Sequence, residues 1–273
     1  MKDLSIYSDP GTLADSAAAT FCALANNAIT NHGKFVVALS GGRTPKALYE
    51  LLATDERYRE SVSWKDVYFF FGDERHVLPD HPDSNFRMAN EALFKKIPVP
   101  ASNIFRVPTE LADASDAANR YQQALLAFFA SNSEIEDDLP VFDLILLGMG
   151  PDGHTASLFP ETAALDEKVK WVVANWVAKF ASWRITITFP VINHARAVAF
   201  LVTGRDKAPI IKKIVNGSGD LLHYPVQRVD PHKGHKIWFL DQDASYLLNG
   251  KTTAEPFQNK ISSSESNAAI SQV

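Results

Sequence analysis

Four short apolar runs in this 273-residue chain each empty into a segment rich in glycine or charge. FVVAL leads into SGGRTP, VYFFF into GDERH, LILL into GMGPDGH and AFLV into TGRDK. A short apolar run stopped at once by glycine suits a strand buried on both faces better than a helix. Between such runs apolar residues recur at helical spacing, for example Leu13, Ala17, Phe21 and Leu24. The alternation points to a Rossmann-like α/β fold, a mainly parallel sheet with helices on both faces and an active site at the carboxyl ends of the strands. Ligands of open parallel sheets bind outside those ends, so the four segments are expected to line one crevice. It would gather Arg43, Arg75, Arg205 and Lys207 beside His154, which suits a small anionic, phosphorylated substrate.

The periodicity predicts helices over 12–30, 45–53, 85–95, 112–130, 206–215 and 243–248. Strands are expected at 35–39, 66–71, 104–107, 142–147, 171–174, 184–189, 197–203 and 236–240. The acidic stretch 133–138 reads as a solvated connector. Residues 1–250 are expected to form one α/β domain, and the polar, serine-rich residues 251–273 a loosely ordered tail.

Composition narrows the partners. A net charge of −5 argues against nucleic acid, which needs a basic surface. Cys22 is the sole cysteine, so neither an intrachain disulfide nor a thiolate metal site can form. In its apolar helical segment it reads as a small core residue. The start MKDLSIYSDP has no signal-peptide core, and no apolar run is long enough to span a bilayer. The expectation is a cytoplasmic protein without a membrane partner, a monomer or small homo-oligomer.

The stretch FDLILLGMGPDGHTASLFP, Phe142 to Pro160, concentrates the chemistry. Gly148 to Gly153 satisfies GxGxxG after a strand, the spacing of dinucleotide-binding loops. The context fails, because Asp166 and Glu167, about twenty positions on, precede the next apolar run instead of ending it. His154, after two close glycines and Asp152 at a strand exit, is the candidate general base, since imidazole titrates near neutrality. The other histidines are scattered without metal-ligand spacing. Ser40-Gly41-Gly42-Arg43-Thr44 is either a plain strand-to-helix turn or an anion cradle at a helix N-terminus, and the paired glycines favour the cradle. It lacks the Walker A pattern. Asp73-Glu74-Arg75-His76 and Lys207 can each be read as solvated charge.

Together, SGGRTP, GDERHVLPDHPDSNF and GMGPDGHTASLFP, with Arg184 in WRITIT and Lys207 in TGRDKA, closely resemble the 6-phosphogluconolactonase family. The likeness runs from the first helix to WFLDQDAS and leaves only the tail outside. The related glucosamine-6-phosphate deaminases usually read Asp-Glu-Tyr where this chain has Asp73-Glu74-Arg75. They also carry Asn-Glu-Pro after the DGH loop, where Thr155 to Pro160 stands here. The resemblance implies hydrolysis of 6-phospho-D-glucono-1,5-lactone in the oxidative pentose phosphate pathway, with no cofactor and no metal. His154 would activate water and Asp152 orient the loop or ring. Ser40, Gly41, Gly42, Arg43, Thr44, Asp73, Arg75 and Lys207 would hold the phosphate and sugar, with Arg184 a further candidate. Backbone N–H groups around Gly150 and Gly153 are the oxyanion candidates. The alternatives are amino-sugar phosphate deamination and a sugar-phosphate sensor without chemistry.

Overall fold

The computed structural model describes residues 3–132, 134–215 and 223–248. Its centre is a six-stranded sheet, parallel in every pairing, in the order β1 (Asp3–Tyr7), β11 (His235–Asp241), β10 (Ala197–Val202), β7 (Leu144–Leu147), β2 (Phe35–Leu39) and β3 (Val67–Phe71). Every residue of β2, β7 and β10 is buried, as expected for strands covered on both faces.

Helix α1 (Pro10–His32) starts where the Asp9 side chain caps the Thr12 N–H, and ends at Gly33 in the left-handed region at φ 81°. Its buried face includes Phe21 and Cys22, whose thiol burial pushes up to about 11. Helices α2 (Arg43–Thr54), α4 (Asn85–Ala92), α5 (Ala114–Ser131) and α7 (Ala208–Val215) follow the predicted segments, with short turns at α3 (Glu56–Arg59), α6 (Phe189–Ile192) and α8 (Gln242–Ser245). Beneath α5, Phe70 packs against Phe105, Phe128, Phe129 and Phe142 with ring centroids 4.5–5.7 Å apart.

Asp143, the one polar residue at the head of the β7 run, is buried at the amino edge of the sheet. There it accepts from the Val36 N–H at 2.8 Å and pairs with His32 at 3.0 Å. It is therefore a satisfied structural carboxylate at the edge opposite the glycine loops.

Several elements differ from the sequence expectation. β1 was not anticipated; it is an edge strand whose partner, β11, lies at the far end of the chain. Residues 104–107 form only a bridge from Ile104 to Phe69 instead of a strand. Past that bridge, the free edge of β3 is taken by the buried Tyr121 hydroxyl, which accepts from Phe71 N and donates to Phe71 O. The segments read as strands at 171–174 and 184–189 are β8 (Val172–Val177) and β9 (Ser182–Ile187). They make a separate antiparallel sheet with an unanticipated strand, β4 (Asp73–Arg75). In the acidic stretch, β5 (Ile135–Glu136) and β6 (Leu139–Pro140) pair around Asp137 and Asp138, both at positive φ, a tight hairpin where a connector was expected. Ser133 and the tail 251–273 lie outside the described residues.

Candidate active site

The four glycine and charge segments meet at the carboxyl edge of the sheet around a cavity of about 630 Å³. Its walls include Ser40 to Thr44, Asp73, Arg75, Gly148 to Pro151, His154, Thr203, Gly204 and Lys207.

The first loop leaves β2 at Ser40. The buried Tyr49 hydroxyl, one turn and a half into α2, holds both Ser40 backbone groups, accepting from N at 3.0 Å and donating to O at 2.8 Å. Burial raises that phenol far above its ordinary value, so it stays a hydrogen-bonding hydroxyl. Gly42, at φ 107°, precedes α2 with no side-chain cap, which leaves the Arg43 and Thr44 N–H groups without an intrahelical partner at the cavity wall. Gly41 has no room for a Cβ, because the Asn85 amide occupies that space. Thr44 and Thr203 join their hydroxyls at 2.8 Å and tie the first loop to the fourth.

The second loop is not a solvated charge run. Glu74 is 2% exposed and accepts from the N–H groups of Arg75, Asn85 and Phe86 at 2.7–2.8 Å and from the Ser84 hydroxyl at 3.1 Å. Burial pushes its carboxyl up against the pull of those three N–H groups. Glu74 thus anchors the start of α4, and Asn85 in turn donates to the Asp73 carbonyl. Asp73 reaches the cavity wall while its carboxylate accepts from the buried Ser157 hydroxyl at 2.7 Å. Arg75 donates to the Asp83 carbonyl and faces the cavity. His76 turns away and donates to the Leu111 carbonyl.

In the third loop the His154 Nδ1 is hydrogen-bonded to one Asp152 carboxylate oxygen, and Phe159 stacks on the imidazole with centroids 3.9 Å apart. Lys179 holds the other Asp152 oxygen at 3.0 Å. Burial alone would raise the Asp152 carboxyl. The hydrogen bond and charge of His154, then Lys179 and the His154 backbone N–H, outweigh burial and hold it well below the usual carboxylate range. An ionised acceptor at Nδ1 fixes the proton there and leaves Nε2 as the basic nitrogen. The ring's side chain is 22% exposed and lines the cavity.

Not every predicted residue reaches the wall. Asp152 and Gly153 do not line it, and Arg205 lies over the Tyr246 ring at 3.8 Å instead of in the crevice. Arg184 faces Arg75 across the β4–β9 pair and sits over Phe180, outside the wall. Burial and then the Arg75 charge lower its basicity. The oxyanion expectation for Gly150 and Gly153 is corrected. Gly150 N–H donates to the His154 carbonyl at 2.9 Å and Gly153 N–H to the Gly150 carbonyl at 3.0 Å, so the loop's own turn occupies both donors. Arg43 and Arg75 make no ion pair among the described residues, and Lys207 pairs only with the exposed Asp206. Sequence reasoning missed Tyr49, Asn85, Phe159 and Lys179. Only Phe159 carried a local signal, by closing the same glycine loop.

A Rossmann-like sheet whose carboxyl edge joins a carboxylate-held imidazole to a cavity walled by arginine and lysine defines a class of α/β proteins with polar, anion-directed sites. The chain belongs to the glucosamine-6-phosphate isomerases/6-phosphogluconolactonase family, whose model matches residues 8–238. It is 43% identical over 221 residues to the 6-phosphogluconolactonase of Synechocystis sp., covering 81% of this chain and 88% of that one. It is 36% identical to 6-phosphogluconolactonase 3, chloroplastic, of Arabidopsis thaliana, over 90% of this chain and 75% of that one. The structure of 6-phosphogluconolactonase from Trypanosoma cruzi superposes with a TM-score of 0.80 at 28% identity, over 91% of this chain and 97% of that one. No helix among the described residues is long and apolar enough to cross a membrane.

Proposed function

We propose that this chain hydrolyses 6-phospho-D-glucono-1,5-lactone to 6-phospho-D-gluconate. The observation that carries the reading is the His154 imidazole, held at Nδ1 by Asp152 and presented to a cavity shared with Arg43, Arg75 and Lys207. His154 Nε2 takes a proton from water as the water oxygen attacks the lactone carbonyl. The tetrahedral intermediate then collapses, the ring oxygen leaves carbon 1, and the proton passes to that oxygen. A positioned base of this kind contributes roughly 10²–10⁴-fold, which is proportionate for an ester that already opens in water. Water is the nucleophile and the carbonyl is already electrophilic, so this chemistry draws on no cofactor.

Arg43, Lys207 and the open first turn of α2 supply the positive field for a phosphate dianion, and Arg75 lines the same cavity. The family relatives named above carry the same activity in their names, which supports the lactone over other sugar phosphates. The test is a coupled assay in which the lactone is generated in situ and its disappearance is followed with and without the protein. Ammonia release from glucosamine 6-phosphate is the second arm. Lactone loss above background without ammonia is the expected outcome; ammonia without accelerated lactone loss contradicts the proposal.

A further inference from the structure

The β8–β9 hairpin carries its tip, Ala178–Phe180, onto the DGH loop. Two independent contacts meet there. Lys179 Nζ lies 3.0 Å from Asp152 Oδ2, while Asp152 Oδ1 takes His154 Nδ1. Phe180 meets Phe159 edge-on with centroids 5.7 Å apart, and Phe159 is the ring stacked on His154. At the neck of the hairpin, Trp176 and Trp183 are cross-strand partners with rings 5.5 Å apart, which stiffens the approach. The tip therefore touches both groups that hold the imidazole.

We infer that Lys179 is a positioning residue for the proposed hydrolysis. By sharing the Asp152 carboxylate it limits the negative charge facing the imidazole and fixes that carboxylate's orientation, so that the acid limb of the activity profile depends on Lys179. The inference rests on the reading of His154 as the base. A lone carboxylate beside a histidine stabilises the charged ring and moves its titration up; a cation on the far oxygen opposes that. Other charges around the ring come from the cavity side, where Arg43, Arg75 and Lys207 oppose Asp73, Asp206, Asp241 and Asp243. From behind, Tyr224 packs against Gly153 with Lys213 at its hydroxyl, and from β9 comes Arg184. All of these are common to wild type and variant, so a change at Lys179 alone isolates its part.

Lys179→Met keeps the aliphatic stem and removes the charge. Because the ammonium is half-exposed, the pair is of the kind that contributes little, and the acid limb of the kcat/KM profile should move up by roughly 0.2–0.7 pH at low salt. KM should stay within twofold, and Lys179→Arg should restore the wild-type profile. Raising the salt to about 1 M, where screening acts over roughly 3 Å, should narrow the gap. A Lys179→Met profile that overlays wild type at low salt, while His154→Ala is inactive, overturns the inference and leaves the base reading intact. Full turnover by His154→Ala overturns both. A folded Lys179→Met protein, checked by circular dichroism, whose KM rises with no movement of the acid limb would assign Lys179 to substrate binding and also overturn the inference.

Discussion

Gly150 has an unremarkable φ, so alanine is permitted there by the backbone, and its effect should be purely steric. A methyl group built on Gly150 overlaps His154 Cε1 and Nδ1 by on the order of 1 Å relative to ordinary contact, and it also comes within 2.7 Å of Asp152 Oδ1. The ring cannot slide freely, because Phe159 covers one face of it. Gly150→Ala must therefore move the imidazole off Asp152 or tilt it away from the cavity. A displacement of about 1 Å at a catalytic group is associated with losses near 10²-fold, equivalent to about 2.7 kcal/mol in the barrier. Overpacking should lower folding stability by about 1–3 kcal/mol. The assay is kcat on lactone generated in situ, with 6-phosphogluconate affinity and the His154 Cε1–H resonance measured in parallel. A drop in kcat of about two orders with product affinity retained and a shifted resonance supports the reasoning. A kcat within threefold of wild type at Gly150→Ala refutes it.

Three further outcomes follow from the same geometry. Arg75→Ala and Lys207→Ala should each raise KM by about tenfold, a 1.4 kcal/mol loss of anion binding, with kcat reduced much less; unchanged KM in both would remove them from the substrate's anion site. Asp152→Asn should lower kcat with little change in KM, because the ring loses the ionised, acceptor-only partner that fixes its tautomer; an unaltered kcat would leave Asp152 without a role in orienting the base. The same variant tests the pH linkage. A carboxyl held below its ordinary value contributes stability that is fully present above the unfolded value of about 3.9 and is lost as pH falls through the depressed one. Chemical denaturation should therefore find wild type more stable than Asp152→Asn at pH 7 and the two converging below about pH 4; a gap that widens on acidification would contradict the sign.

What the sequence revealed follows how local each signal is. The four strand exits were legible because a buried run and its stopping glycines are neighbours in the chain, and the rules of open parallel sheets then bring distant loops together. β4 was not legible: Asp73-Glu74-Arg75 has no apolar alternation, and its strand geometry comes from pairing with β9, more than a hundred residues on. Glu74 looked solvated because its donors, Ser84, Asn85 and Phe86, sit at the start of another helix. The oxyanion reading of Gly150 and Gly153 failed on a matter of local closure, since the tight turn that brings His154 forward uses both N–H groups itself. Lys179 lies at an exposed hairpin tip whose aim depends on how β8 and β9 pack, and nothing in its neighbours marks it. Arg205 and Lys207, two residues apart, differ because Tyr246 offers the first a ring to cover.

The central claim is that the Nε2 of a carboxylate-held imidazole takes the proton of the attacking water. Background-corrected lactone turnover by His154→Ala, in protein that still folds and binds 6-phosphogluconate, tests it most directly. The account predicts a loss of roughly 10²–10⁴-fold in kcat; turnover within threefold of wild type would contradict it.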